Sequence, residues 1–226
     1  MDTSSIVFPF HVFDQEADFS IVQRRLPHWS QAGAICFITW RTDDSLPKSV
    51  LDEWHNNRSK WLGDLGIDPT SKRWREDLQL LDSAKYQEFL SIFWNRWHDE
   101  LDACHGACVL RQPELAKIVE SSLHYFDNDR YLLLEFIVMP NHVHIMAAFP
   151  DEHAMLAQCE SWKHFTATQI NKRLKRRDRF WQKDAFDHLV RSERQFEYLR
   201  HYIADNPKKA GLKLGEYLHF SQNIST

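Results

Sequence analysis

Tyr131 to Phe149, YLLLEFIVMPNHVHIMAAF, is the stretch whose reading decides the fold. Its first half, Tyr131 to Met139, is a near-continuous apolar run, the signature of a strand buried on both faces. Pro140-Asn141 is turn chemistry, and His142 to Phe149 returns as a second strand, so the stretch is a hairpin at the centre of a sheet. Side chains alternate along a strand, which puts His142 and His144 on one face and Val143 and Ile145 on the other. Two adjacent imidazoles are costly to bury without partners, and a metal ion or a phosphate is a use that offsets the cost. The chain has 13 histidines, so a His-x-His pair by itself is weak evidence and needs support from elsewhere.

Working outward from the hairpin, Pro113 to about Tyr125 reads as a helix, opened by Pro-Glu and closed before Asp127-Asn128-Asp129. Further upstream, Ala34 to Trp40 (AICFITW) is apolar and β-rich and reads as a strand, followed by a turn over Asp43 to Pro47. Downstream, residues 153–175 read as a helix, Ala185 to Arg191 as a short strand, and Glu193 to Ala204 as a final helix stopped near Asn206-Pro207. The order strand, helix, strand, strand, helix, strand, helix predicts an α+β, ferredoxin-like (RRM-like) antiparallel βαββαβ sheet with an extra C-terminal helix. Residues of about 45–110 form a Trp-rich helical insertion of roughly 65 residues after the first strand. Within it Phe89, Phe93, Trp94 and Trp97 recur at spacings of three and four, which predicts the core of the insertion rather than a stacking platform. Repeats, low-complexity tracts and Gly/Ser linkers are absent, so residues 1–226 read as one domain.

Composition agrees with a folded, soluble chain: 226 residues, 43% hydrophobic, 27% charged, with 6 Gly and 8 Pro. Nothing approaches 18 consecutive apolar residues, which sets aside a membrane span. The first ten residues contain Asp2 and no Lys or Arg, unlike a secretory leader, so the four cysteines are expected as reduced thiols in a cytoplasm. The net charge of −4 hides a polarity: residues 161–215 hold 14 Lys+Arg and 6 Asp+Glu, or +8, while the rest holds 14 and 26, or −12. The densest part, NKRLKRRDRFWQK from Asn171 to Lys183, interleaves cations with Phe180 and Trp181, a composition suited to phosphate contacts and base stacking. A solvated helix end, with cations favourably placed near its C-terminus, is the blander account of the same run.

The final helix supplies the support the histidines need. In EYLRHYIADNP, Tyr198, Tyr202 and Asn206 are spaced i, i+4, i+8 and share one stripe. If that stripe packs over the histidine pair, Tyr202 offers a nucleophilic oxygen and Asn206 a neutral oxygen ligand. The alternative is an amphipathic helix whose tyrosines pack and whose Asn206 caps the end before Pro207.

MPNHVHIM, followed by FWQKDAFDHLVRSERQFEYLRHYIADNPKKAGL, resembles the single-tyrosine HUH transposases, and most of all the REP-associated tyrosine transposases of bacteria. RRLPHWSQAGAICFITWR and LDACHGACVLRQPELAKIVESSLHYFDNDRY resemble the family too, so the likeness spans about residues 22 to 215. The histidine–hydrophobic–histidine element of the family falls on His142, Val143 and His144, its catalytic tyrosine on Tyr202, and the polar residue completing its metal site on Asn206. The Trp-rich insertion departs from the smaller relatives.

The resemblance implies a DNA-cleaving enzyme that joins strands by transesterification. Its Mg²⁺ or Mn²⁺ would be held by His142, His144 and Asn206, and Tyr202 would form a 5′-phosphotyrosine on single-stranded DNA, often at the foot of a hairpin. The C-terminal helix is then the catalytic one. DNA-binding residues follow: Lys163, Arg173, Lys175, Arg176, Arg177, Arg179 and Lys183 on phosphates, Trp181 on a base or packed beneath the preceding helix, and Lys208 and Lys209 beside the active helix. A homodimer is compatible with this reading, and a membrane partner is not expected. The rival is a hairpin-DNA-binding or regulatory protein on the same fold without catalysis, for which the tyrosine has no use. Cys104 and Cys108 form a lone CxxxC, better read as ordinary thiols than as a zinc knuckle. Asp187 and His188 point to opposite faces of a strand, so at most one of them supports the site.

Overall fold

The computed structural model describes residues 11–12, 20–23, 27–30, 33–71, 73–183 and 186–222. The chain divides into two compact units, residues 1–43 with 108–226, and residues 44–107.

The larger unit is built on a five-stranded antiparallel sheet. Its strands are β3 (Ile35–Arg41), β4 (Leu132–Val138), β5 (His142–Ala148), β6 (Phe186–Leu189) and β7 (Leu218–Ser221), in the order β6-β3-β5-β4-β7. The first four strands in that order are the ferredoxin-like arrangement expected from the sequence, with β7 added beyond β4. A separate two-stranded ribbon pairs β1 (Ser20–Gln23) with β2 (Pro27–Ser30). Neither β7 nor this ribbon is marked in the sequence, because four-residue strands are too short to show a periodicity. The predicted strand over Ala185–Arg191 shortens to β6, Ala185 lying outside the described residues.

Helices α5 (Pro113–His124) and α6 (Glu152–Leu174) cover one face of the sheet. Cys36, Ile38 and Trp40 from β3, Leu133, Phe136 and Val138 from β4, and Val143, Ile145 and Ala147 from β5 are buried beneath them with Leu115, Val119 and Trp162. Both helices open as their sequences dictate: α5 with Pro113 and Glu114 in its first turn, α6 with the Asp151 carboxylate accepting from the Ala154 N–H at 2.7 Å. A bulge between Leu133 and Glu135 explains why YLLLEFIVM lacks strict alternation. The extra residue lets Leu133 and Phe136 both face the helices and turns Glu135 to the opposite side. Tyr131 is fully buried, donating to the Leu123 carbonyl at 2.6 Å and accepting from Trp162 Nε1 at 3.3 Å, and burial pushes its phenol up to about 12.

The other face of the sheet carries α7 (Glu193–Lys209). Ser192 caps it, accepting from the Gln195 N–H at 3.1 Å, while the Gln195 side chain accepts from the Arg191 N–H at 2.8 Å. The expected stop at Asn206-Pro207 is corrected: α7 continues through Pro207 to Lys209. A proline in the last turn forfeits one donor, and the bonds beyond it persist, from Ala210 N–H to Asn206 O at 3.0 Å and from Leu212 N–H to Pro207 O at 2.9 Å. Burial of Ile203, Asn206 and Pro207 holds the helical path that the dipeptide alone disfavours.

The smaller unit is helical: α1 (Lys48–Asp64), α2 (Trp74–Gln79), and α3 (Ser83–Phe89) running through a π-turn at Leu90–Trp94 into α4 (Asn95–Asp102). Its aromatic residues pack on one another as expected, Phe89 against Phe93 at 4.9 Å, Trp54 against Trp97 at 5.3 Å and Trp61 against Phe89 at 5.3 Å between ring centroids. The Trp94 side chain lies outside those described. The ends of the unit meet where the Ala107 N–H donates to Asp44 Oδ2 at 2.8 Å. Gly106 sits there at φ +87°, where a Cβ would lie 2.5 Å from the Asp44 carbonyl oxygen, so this approach requires glycine. Among the described residues no helix is long and apolar enough to cross a membrane.

Candidate active site

The hairpin turn is two residues, Pro140-Asn141, closed by the Met139 N–H on the His142 carbonyl at 2.9 Å. It is pinned on both sides, by Leu110 N–H on the Pro140 carbonyl at 3.1 Å and Thr42 N–H on the Asn141 carbonyl at 2.8 Å. Beyond it His142 and His144 emerge on the α7 face, both fully buried, with ring centroids 4.7 Å apart and ring nitrogens within 4.8 Å of one another.

Each ring is oriented by a neighbour. His142 Nδ1 lies 2.8 Å from Asn141 Oδ1, and because an amide oxygen accepts only, Nδ1 carries the proton. Burial drives the His142 pKa down to about 3, so the ring is neutral and Nε2 carries a lone pair. His144 lies opposite Thr39 of β3, whose Oγ1 is 2.7 Å from Nδ1. Its Nε2 lies 3.3 Å from the Tyr202 hydroxyl, and in the tautomer that carries the proton on Nδ1 it accepts from that hydroxyl. Phe37 stacks on the His144 ring at 5.3 Å and meets the Tyr202 ring edge-on at 6.2 Å.

Burial increases along the helical stripe. Tyr202 is half-buried against the sheet, whereas Tyr198, one turn earlier, is 60% exposed. Asn206, one turn beyond Tyr202, is fully buried, and among the described residues its side-chain oxygen and nitrogen have no hydrogen-bond partner. It is therefore not a helix cap. A buried amide with both ends unsatisfied costs about 1–3 kcal/mol per group, and ligation of its oxygen would remove the oxygen's share. A pair of imidazoles completed by an amide oxygen would be a donor set suited to a divalent cation. Lys209 places its ammonium 5.0 Å from the Tyr202 ring centroid.

The basic candidates lie mostly at the far end of α6, where Lys175 takes a left-handed conformation, φ 55°, to end the helix. Lys172 and Arg173 in the last turn meet the negative end of the helix dipole, as the blander account required. Arg173 donates to the Glu114 carbonyl at 3.1 Å, and Arg179 lies 3.7 Å from the Asp43 carboxylate. Arg176 is paired with Asp178, which holds that carboxyl below its usual range. Lys163 donates to the Lys183 carbonyl at 2.7 Å, and these two with Arg179 border a shallow cleft of about 340 Å³. Lys175, Arg177, Lys183, Lys208 and Lys209 are exposed. Trp181 is corrected: it is 4% exposed, its indole donates to Thr166 Oγ1 at 2.8 Å, and it packs edge-on to Trp40, so it presents no ring for a base to stack on.

Four residues of the site were not anticipated: Thr39 and Asn141, which orient the histidines, Phe37, which walls them, and Glu135. Glu135 had a signal, as the lone carboxylate in an otherwise apolar strand. Thr39 had none, because its role depends on a register between strands about 100 residues apart in sequence.

Residues 109–206 match the family model described as "Transposase IS200 like". No curated protein matches the chain. Among solved structures it is similar to a REP-associated tyrosine transposase bound to a REP hairpin, at 12% identity and a TM-score of 0.43, over 81% of this chain and 72% of that one. The likeness to the IS200-like transposase family thus covers the segment that contains His142, His144, Tyr202 and Asn206.

Proposed function

We propose that this chain is a metal-dependent tyrosine transposase, a single-stranded DNA endonuclease and strand transferase that forms a 5′-phosphotyrosine through Tyr202 at hairpin-associated sites. The observation that carries the reading is the Tyr202 hydroxyl 3.3 Å from His144 Nε2, with the unsatisfied Asn206 amide one turn further along the same stripe. The family match over residues 109–206 supports a DNA-processing role.

His142, His144 and Asn206 would hold Mg²⁺ or Mn²⁺, hard cations suited to an oxygen ligand and phosphate, and zinc is disfavoured because no cysteine joins the set. Such a cation, when bound, neutralises charge on the scissile phosphate. The chain's own groups do the rest. Asn141 and Thr39 keep the Nε2 lone pairs aimed inward, and Phe37 walls the His144 ring on one side. Lys209, over the Tyr202 ring, favours negative charge on the phenolic oxygen. That oxygen attacks phosphorus. The bond from phosphorus to the 3′ oxygen breaks, the 3′ oxygen leaves as a hydroxyl with the proton Tyr202 gave up, and the phosphodiester energy is kept in the phosphotyrosine. The exposed cations Lys175, Arg177, Lys183, Lys208 and Lys209 grip the strand. Residues of about 45–110 are an insertion in this single domain, and the chain acts on single strands in a cytoplasm.

The test is incubation with hairpin-bearing single strands and Mn²⁺, followed by a search for a denaturation-resistant protein–DNA adduct that maps to Tyr202. Hairpin binding with no adduct would make the chain the non-catalytic hairpin-binding protein instead.

A further inference from the structure

Glu135 is the buried charge that the site chemistry leaves unexplained. It sits on β4 between β5 and β7, is 2% exposed, and faces α7 because of the bulge that precedes it. Both its oxygens are engaged: Oε2 accepts from Arg200 Nε at 3.0 Å and Oε1 from His219 Nε2 at 2.9 Å. Arg200, on α7, also donates to Ser221 Oγ of β7 at 3.2 Å. Buried and held between two basic side chains, this carboxylate serves as an ion-pair partner rather than as a general base.

We infer that Glu135 is a positioning residue, which through Arg200 sets the rotation of α7 and so holds the Tyr202 hydroxyl against His144. Arg200 and Tyr202 are two positions apart, about 200° around the helix, and so lie on opposite flanks of it. Their partners confirm the geometry: Tyr202 meets Phe37 of β3 and His144 of β5, while Arg200 meets Glu135 of β4 and Ser221 of β7, on the other side of the strand order. Between the two flanks Leu199 and Ile203 are buried, and aliphatic packing by itself does not fix the roll of a helix. A phenolic oxygen stands about 9 Å from the helix axis, so a roll of about 20° displaces it by about 3 Å, enough to abolish its contact with His144. A directional ion pair with Glu135, joined by the hydrogen bond to Ser221, resists that roll on the far flank. Burying an ion pair roughly breaks even in stability, so what Glu135 contributes is direction.

This inference rests on the assignment of Tyr202 as nucleophile, and the experiment separates the two. Arg200→Gln, Arg200→Lys and Glu135→Gln are compared with the parent chain by three measurements. These are nuclear Overhauser contacts between the Tyr202 ring and the His144 and Phe37 rings in DNA-free protein, the rate of adduct formation, and affinity for the hairpin strand. Arg200→Gln is expected to lose the ring contacts and slow adduct formation by about a hundredfold, as an ångström-scale misplacement does, with strand affinity unchanged. Arg200→Lys, which keeps the charge, is expected to recover part of both. Ring contacts and adduct rate both unchanged in Arg200→Gln would overturn the inference, and that variant decides if Glu135→Gln does not fold. A parent chain that forms no adduct would sink the proposed function, while the ring contacts would still judge the clamp.

Discussion

Replacing Thr39 by Val takes one hydroxyl from β3 and keeps the shape of the side chain. Thr39 is 3% exposed and its Oγ1 lies 2.7 Å from His144 Nδ1, so water cannot take over the lost role. Removing one partner of a buried hydrogen bond costs about 1–3 kcal/mol. Independently, loss of the group that orients a metal-ligating histidine lowers metal affinity about 10–100-fold, or about 1.4–2.8 kcal/mol. The expected outcome is Mn²⁺ binding weakened about 10–100-fold, with Thr39→Ser, which keeps the hydroxyl, close to the parent. The metal-free protein should also melt a few degrees lower, at about 2–4 °C per kcal/mol for a chain of this size. Titration of free Mn²⁺ by electron paramagnetic resonance measures the affinity. If Thr39→Val binds Mn²⁺ as the parent does, the site is not held from β3 and the ligand role of His144 Nε2 fails.

Tyr202→Phe should eliminate the covalent adduct while keeping the fold and strand binding, whereas Tyr198→Phe, at an exposed position, should keep the adduct; peptide mapping of the trapped species to Tyr198 would reverse the assignment. Arg177→Gln should lower the slope of log affinity against log salt by about 0.7 on a single strand, and Arg176→Gln, whose charge is already paired with Asp178, should lower it less. Equal slopes for both variants and the parent would reduce the run to a solvated helix end. His142 has a folded pKa of about 3, below its unfolded value, so the unfolded chain binds the extra proton. Stability of the metal-free protein is therefore present above about pH 6.5 and falls as pH drops toward 3, by at most about 1.4 kcal/mol per unit from this group. Urea titrations across that range should show a shallower dependence in His142→Gln, and an identical dependence would contradict the burial argument.

Much of the fold was legible because its signals are local. The apolar run of β4, the Pro140-Asn141 turn and the alternation of His142 and His144 need no information from elsewhere in the chain, and they alone specify a central hairpin with two imidazoles on one face. The stripe of Tyr198, Tyr202 and Asn206 is likewise a property of helical spacing. The short strands of the ribbon and β7 escaped because four residues carry no usable period, and the end of α7 was misplaced because Asn206-Pro207 disfavours a helix locally while burial of Ile203, Asn206 and Pro207 favours it.

Which tyrosine faces the sheet, and what holds it there, belongs to the tertiary structure. Spacing put Tyr198 and Tyr202 on one stripe, and the packing of α7 across β4 and β5 left the first exposed and brought the second to His144. Trp181 sits in a basic run that suits base stacking, yet the contacts with Trp40 and Thr166 place it in the core. Thr39, Glu135 and Arg200 acquire their roles through pairings between segments far apart in the chain. Sequence determines which side chains share a face, because that follows from the repeat of one strand or helix. Only the register and packing of several elements determine which faces meet, because those depend on burial summed over the whole sheet.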